Sequence, residues 1–326
     1  MNETVIKDRV VGIDVNIERT TYAIVDVRGN ILARDYIITA EYPNVNDFVS
    51  ILCDRLFDFV VANGGLDTIR SVGVSVPSGN FITGCIENSP NMPWKGNIPL
   101  AAMMRDRLGV AVAVANNAHA KALGEYAFGC AHGMKDFMVI SLGSGLGSCI
   151  FSNDVEHQGS NGFAGEVGHI CYEHGGRLCG CGKKGCLEAY TASRGIVMTA
   201  LEVLAERSEP SMMRGEEKLT ARAIISFCDL GDRLAGEVMR RTGYALGVGL
   251  ANYASIFDPE AIIFTGYVSQ AGESLLGPAR EAFDAHVFRN IAGKVEFLLS
   301  ELSDCERNVL GASVLAWKVK EYSLFR

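Results

Sequence analysis

The chain has 326 residues, 48% of them hydrophobic and 21% charged, which gives enough apolar surface for two globular lobes of about 150 residues each. A net charge of −8 with no run of Lys or Arg argues against the clustered basic face of a nucleic-acid-binding protein. No stretch is long and apolar enough to span a bilayer, and residues 1–9 lack the apolar core of a signal peptide, so a cytoplasmic protein without membrane partners is expected.

Residues 10–15 form an apolar run that predicts a buried strand. Residues 21–26 predict a second strand, and residues 31–38 a third after the turn at Arg28-Gly29-Asn30. Phe48, Ile51, Leu52, Phe59 and Val60 share one face of a helix over 46–62, which Asn63-Gly64-Gly65 ends. Strands are expected at 71–76, closed by Pro77, and at 110–115, followed by Asn116-Asn117 and a helix through Glu125. The opening pattern then recurs. Residues 137–142 predict a strand, Gly143-Ser144-Gly145 a tight turn, and 147–151 a second strand. Such a repeat implies two related lobes with a cleft between them. Helical periodicity fills 191–206 and 219–253, with a polar loop at 206–218. A late strand spans 261–265 and ends at Gly266, and a terminal helix is expected over 311–322.

Of the ten cysteines, Cys53, Cys85, Cys130, Cys149, Cys171, Cys228 and Cys305 stand singly and read as small buried hydrophobes. Cys179, Cys181 and Cys186 cluster with interleaved glycines that let the backbone wrap closely. In a chain without an export signal, three close cysteines favour metal over disulfides. Three thiolates and one imidazole make a closed tetrahedral zinc site of the structural kind. His169 is the natural fourth ligand and His174 the competing one.

Gly165-Glu166-Val167-Gly168-His169, followed by the cysteine run and Leu187-Glu188, resembles the signature of the ROK family of sugar kinases and sugar-responsive repressors. The likeness extends through Ser89-Pro90-Asn91-Met92-Pro93-Trp94, Gly124-Glu125, residues 142–147 and Asp258-Pro259-Glu260, and is strongest to glucokinase-like members. The resemblance implies an α/β, actin-like ATPase (ribonuclease H-like) fold. It implies a smaller N-terminal lobe of residues 1–117 plus 311–326, and a larger lobe of residues 118–310 carrying the zinc site. It further implies a hexose, glucose or an N-acetylated hexosamine, in the cleft with ATP and Mg2+ beside it. Asn91, Asn116, Asn117, Glu166, His169 and Glu188 would hold the sugar, His169 with one ring nitrogen on zinc and the other toward the sugar. Asp14, Arg19, Gly143, Ser144, Gly145 and Gly266 would serve the nucleotide. A dimer or tetramer is also implied.

Three departures from the family pattern bear on the reaction. Family kinases read Asn-Asp-Ala where this chain has Asn116-Asn117-Ala118. Asn117 therefore stands where the family has its base, and an amide cannot accept the sugar's proton near neutral pH. His119 is a poor substitute, because residues two apart on a helix do not share a face. Where family kinases have a Gly-Gly-Thr turn, this chain has Asn16-Ile17-Glu18. Asn16 suits a left-handed position but Ile17 does not, Glu18 brings a carboxylate toward phosphate oxygens, and Arg19 either serves phosphate or pairs with Glu18. An ordinary β-turn without a ligand is the favoured reading there. The adenosine-side turn has Gly266-Tyr267 in place of a glycine run, and Tyr267 either stacks on a base or fills its space.

Since the departures fall on the base and the nucleotide contacts, the favoured reading is a catalytically weak or inactive homologue that binds a sugar and signals by closure of its lobes. A working ATP-dependent hexose kinase with an altered base is the alternative. The repressor branch is disfavoured, since the first core strand near Val10 leaves no room for a DNA-reading module and the charge is wrong.

Overall fold

In the computed structural model, the structure describes residues 7–89 and 92–319, which fall into two compact units. Unit 1 comprises the chain up to His132, Gly159–Phe163 and the chain from Leu302 onward. Unit 2 comprises Gly133–Gln158 and Ala164–Glu301.

Unit 1 is built on a five-stranded sheet. Its strands are β1 (Arg9–Val15), β2 (Thr20–Asp26), β3 (Ile31–Ile37), β4 (Ile69–Val76) and, after three short strands β5 (Gly79–Asn80), β6 (Cys85–Glu87) and β7 (Asn97–Ile98), β8 (Ala111–Asn116). The order is β3-β2-β1-β4-β8, antiparallel through the meander and parallel from β1 to β4 to β8. β1 and β4 are near-continuous runs of buried Val and Ile, as strands covered on both faces require. Helix α1 (Val45–Ala62) starts at the Asn44 cap and buries Phe48, Leu52, Leu56 and Val60. It stops where Gly64 and Gly65 take φ of 121° and 92°. Helices α2 (Leu100–Leu108) and α3 (Asn117–Phe128) follow.

Unit 2 repeats the plan. Its strands β9 (Phe137–Leu142), β10 (Leu146–Ser152), β11 (Val155–Glu156), β12 (Ala261–Thr265) and β13 (Glu296–Leu299) lie in the order β11-β10-β9-β12-β13 with the same directions. Helices α4 (Glu188–Thr191), α5 (Ser193–Glu206), α6 (Ala221–Asp229), α7 (Arg233–Phe257) and α8 (Glu273–His286) complete it. The single helix expected over 219–253 is two. Gly231 breaks it at φ 86°, and Asp232 caps α7 by accepting from the N–H groups of Leu234 and Ala235.

The last helix, α9 (Asp304–Lys318), belongs to unit 1 and starts earlier than the expected residue 311. Its Ser303 cap and Glu306 bond reciprocally. A Cβ on Gly12 or Gly73 would collide with the α9 backbone, so those glycines let β1 and β4 press directly on it. Divisions at 117/118 and 310/311 would cut through α3 and α9, whereas the compact units part elsewhere. The reason is packing. Gly124 of α3 and Gly311 of α9 each meet the other helix's backbone, and the buried Glu125 and Arg307 pair across them at 2.8 Å.

Candidate functional site

In unit 1, strands β1, β4 and β8 end side by side and bring Asp14, Ser75 and Asn117 together with Asn16 and Asn308. Asp14 is buried. Its Oδ2 accepts from Asn16 Nδ2 at 2.6 Å and Asn308 Nδ2 at 3.0 Å, and its Oδ1 from Ser75 Oγ at 3.2 Å. Burial pushes its carboxyl above the ordinary value, against the Asn308 bond, the charge of Lys121 and the Ser75 and Asn16 bonds. Asn117 opens α3. Its Oδ1 lies 3.1 Å from Ser75 Oγ, and its Nδ2 donates to Asn16 Oδ1 at 3.4 Å. Asn116 spends Oδ1 on capping α3 through Ala118 N at 3.0 Å, which leaves its amide N–H groups as donors. His119 is buried. Asn91 lies outside the described residues.

The turn after β1 leaves the left-handed position open to Asn16 unused and removes one of the two alternatives for Arg19. Neither Asn16 nor Ile17 has a positive φ, and the turn closes with Asn16 N donating to Arg19 O at 3.3 Å. Asn16 is thus free to use its side chain on Asp14 and Asn117. Arg19 does not pair with Glu18 among the described residues. Its guanidinium lies 5.3 Å from the Tyr36 ring centroid.

In unit 2, His169 Nδ1 and the Sγ atoms of Cys179, Cys181 and Cys186 all lie within 4.8 Å of one another. Cys179 Sγ is 3.8 Å from His169 Nδ1, and Cys181 Sγ is 3.7 Å from Cys186 Sγ. Gly182 and Gly185 wrap this loop at φ of 88° and 80°, and a Cβ on Gly185 would collide with the backbone of Glu173. Burial pushes the Cys179 thiol up to about 12 and raises Cys186. Burial also opposes the Cys181 thiolate, yet the Lys183 N–H and the other two thiols hold it below its ordinary value. His174 is exposed and stands outside the group. The described cysteines are free thiols, and Cys171, expected to be buried, is exposed beside this loop.

Glu188, the first residue of α4, links this cluster to the glycine turn after β9. Its Oε2 accepts from Leu146 N at 2.9 Å, and its Oε1 lies 3.5 Å from Cys179 Sγ. A Cβ on Gly145 would sit 2.6 Å from Glu188 Oε2, so that glycine makes room for the carboxylate. Glu166 is half-buried, and its carboxylate makes no hydrogen bond among the described residues; the same holds for His169 Nε2. The turn after β12 packs on the end of β9, where a Cβ on Gly266 would collide with the Leu142 backbone. Gly266 stands at φ 85°, and Val268 N donates to Leu142 O at 3.2 Å. No local sequence signal marks Ser75, Asn308, Ser193 or Arg222; Ser75 and Asn308 reach Asp14, and Ser193 and Arg222 reach Tyr267, only through tertiary contacts.

Two sheets of one repeated order, each followed by polar turns at its strand ends, define a protein of the actin-like ATPase fold. The sequence profile of the ROK family matches residues 10–319. A glucokinase of Halalkalibacterium halodurans is 35% identical over 257 residues, which is 77% of this chain and 76% of that protein. The chain belongs to the ROK family. The crystal structure of a ROK family glucokinase from Streptomyces griseus in complex with glucose and AMPPNP is similar with a TM-score of 0.78 at 30% identity, covering 95% of this chain and 100% of that one. A ROK family transcriptional regulator, a homologue of the E. coli MLC protein, reaches a TM-score of 0.83 at 25% identity, covering 94% of this chain and 78% of that one. No helix of the described residues is long and apolar enough to cross a membrane.

Proposed function

We propose that this chain binds a hexose, glucose or an N-acetylated hexosamine, and that the ATP-dependent phosphorylation of the sugar 6-hydroxyl is weak or lost in it. The observation that carries the second half is the state of Asn117. Its carboxamide is engaged by Asn16 and Ser75, and the neighbouring Asp14 is already bonded by three neutral donors. A positioned general base is typically worth about 10²–10⁴ in rate, and an amide supplies none of it. The sugar-holding groups are acceptors and donors still unspent: the Glu166 carboxylate, His169 Nε2 and the Asn116 amide, with Asn91, Asn117 and Glu188 completing the set. A neutral polyol is held by such paired donors and acceptors.

Zinc fits the His169, Cys179, Cys181 and Cys186 cluster. Zn–S bonds of about 2.3 Å and Zn–N bonds of about 2.1 Å set tetrahedral S···S edges of about 3.8 Å and S···N edges of about 3.6 Å; the Cys181 and Cys186 sulfurs are 3.7 Å apart and Cys179 Sγ is 3.8 Å from His169 Nδ1. A dication would also stabilise the Cys179 and Cys186 thiolates that burial disfavours. The zinc would be structural, and it would fix the His169 tautomer through Nδ1 and leave Nε2 to the sugar. ATP and Mg2+ enter only if the protein turns over. Asp14, Arg19 and Gly266 are the remaining nucleotide-side candidates, with Gly143-Ser144-Gly145 as the phosphate loop. A cytoplasmic homodimer or tetramer is proposed with this reading.

The second reading, a fully active glucokinase-type enzyme with an altered base, is favoured by the 35% identity to a glucokinase. Coupled assays with glucose, N-acetylglucosamine, N-acetylmannosamine and allose separate the two. Turnover above about 1 s⁻¹, a low but ordinary enzyme rate, would sink the weak-kinase reading.

A further inference from the structure

The segments on either side of the cysteine loop run past each other as a short antiparallel ladder. Tyr172 N donates to Gly185 O at 2.8 Å and Leu187 N to Ile170 O at 3.1 Å. Cys171 and Cys186 stand opposite each other between those two bonds. Bonds that flank a pair instead of joining it mark the close kind of antiparallel site, with Cα atoms about 4.5 Å apart and both side chains on one face. A disulfide needs Cα atoms about 4.4–6.8 Å apart and Cβ atoms about 3.5–4.5 Å apart, so this ladder site can hold one. Gly185 holds the register: it sits at φ 80° against the Glu173 backbone, where a Cβ would collide.

The two thiols differ in their surroundings. Cys186 is buried, and its Sγ belongs to the four-ligand group of His169, Cys179, Cys181 and Cys186. Cys171 is an exposed free thiol outside that group. With a metal bound, the three loop thiolates are ligands, and Cys171 is the thiol of the four left uncoordinated and open to solvent. We propose that Cys171 is an oxidation site, which hydrogen peroxide links to Cys186, so that the zinc site loses a ligand. The Cys171 sulfur attacks a peroxide oxygen, giving the sulfenic acid and one water. The Cys186 sulfur then attacks Cys171 Sγ, forming the S–S bond and expelling the sulfenic oxygen as a second water. Two thiols give up two electrons and two protons, and one peroxide takes up both. As a disulfide sulfur Cys186 is no longer a thiolate ligand, which leaves His169, Cys179 and Cys181 as three donors for a metal that takes four. A thiol reductant reverses the step. Cys181 Sγ lies 3.7 Å from Cys186 Sγ, so a Cys181–Cys186 disulfide is the rival product. The loss of metal rests on the reading of the cluster as a zinc site; the pairing of Cys171 with Cys186 rests on the ladder alone.

The test treats the zinc-loaded full chain with hydrogen peroxide while a chromogenic chelator records released zinc. Peptide mass mapping under non-reducing conditions then locates the linkage. A linked pair of peptides carrying Cys171 and Cys186 is expected, formed together with zinc release, and dithiothreitol should restore zinc binding. Cys171→Ser should hold zinc as the parent does and release it about tenfold more slowly under peroxide. Release at the parent's rate from Cys171→Ser would overturn the proposal. So would a linkage confined to Cys179, Cys181 and Cys186, or Cys171 carried to the sulfinic acid with zinc retained. A chain that holds no zinc before oxidation would overturn the zinc reading, and the mapped linkage would then still decide the pairing.

Discussion

Asn117→Asp places a carboxylate where the family has its base, but this chain surrounds it differently. The new oxygens would lie about 3.1 Å from Ser75 Oγ, which itself lies 3.2 Å from Asp14 Oδ1. Two carboxylates would then compete for one hydroxyl proton at a separation of at most about 6 Å. With an effective dielectric constant near 20, that repulsion is about 2.8 kcal/mol, or roughly two pKa units. The new carboxyl and the already raised Asp14 are thus expected to titrate as a coupled pair, one of the two keeping its proton well above the ordinary carboxylate range. The Asn117 donor to Asn16 Oδ1 is lost at the same time, adding about 1 kcal/mol at all pH values. Urea unfolding at pH 4, 6 and 8 measures this. Relative to the parent, the variant should lose roughly 1 kcal/mol at pH 4 and 3–4 kcal/mol at pH 8. In a double-mutant cycle with Asp14→Asn, the coupling of about 2–3 kcal/mol at pH 8 should vanish at pH 4. A coupling that is small or independent of pH would show that Asp14, Ser75 and Asn117 are not one network.

Asp14→Asn alone should stabilise the protein at neutral pH. The raised Asp14 carboxyl binds its proton more tightly folded than unfolded, so the stability it contributes is whole below about pH 4 and is lost as pH rises through the folded value. The amide has no such loss, so the difference in melting temperature should grow from pH 4 to pH 8; a constant difference would contradict the burial argument. Cys181→Ser, at an exposed ligand position, should reduce bound zinc from one per chain to none and lower the melting temperature by roughly 4–8 °C, as about 2 kcal/mol would. Full metal content in that variant by atomic absorption would remove Cys181 from the site. Glu166→Gln should weaken hexose binding about tenfold, with the melting temperature unchanged, since that carboxylate makes no hydrogen bond among the described residues. An unaltered hexose affinity would take Glu166 out of the sugar set.

Local signals carried the sequence reading as far as they reach. The buried strands of both sheets announce themselves as Val and Ile runs, and the spacing of Cys179, Cys181 and Cys186 marks the cluster they form with His169. α9 starts before its apolar period does, because Ser303 and Glu306 cap it within a polar stretch. α8 is hidden in the sequence, because Pro278 inside it reads as a helix breaker. α2 and the short strands β5 to β7 carry too few residues for a clear period. The Asn16 side chain was judged by its backbone preference, whereas its amide matters more than its φ. Asn308 stands 294 residues from Asp14, and Ser193 and Arg222 reach Tyr267 only after unit 2 has folded. No spacing rule could find them.

One titration tests the central claim most directly: glucose, or an N-acetylated hexosamine, injected into the protein with Mg-ATP present. Calorimetry records both binding and reaction in that single experiment. A hexose-binding protein without an efficient base gives a saturable binding heat that decays to baseline after each injection. Sustained heat flow corresponding to more than about 1 s⁻¹ would show a working kinase despite Asn117. The absence of any binding heat with every hexose would show that the sugar reading itself is wrong.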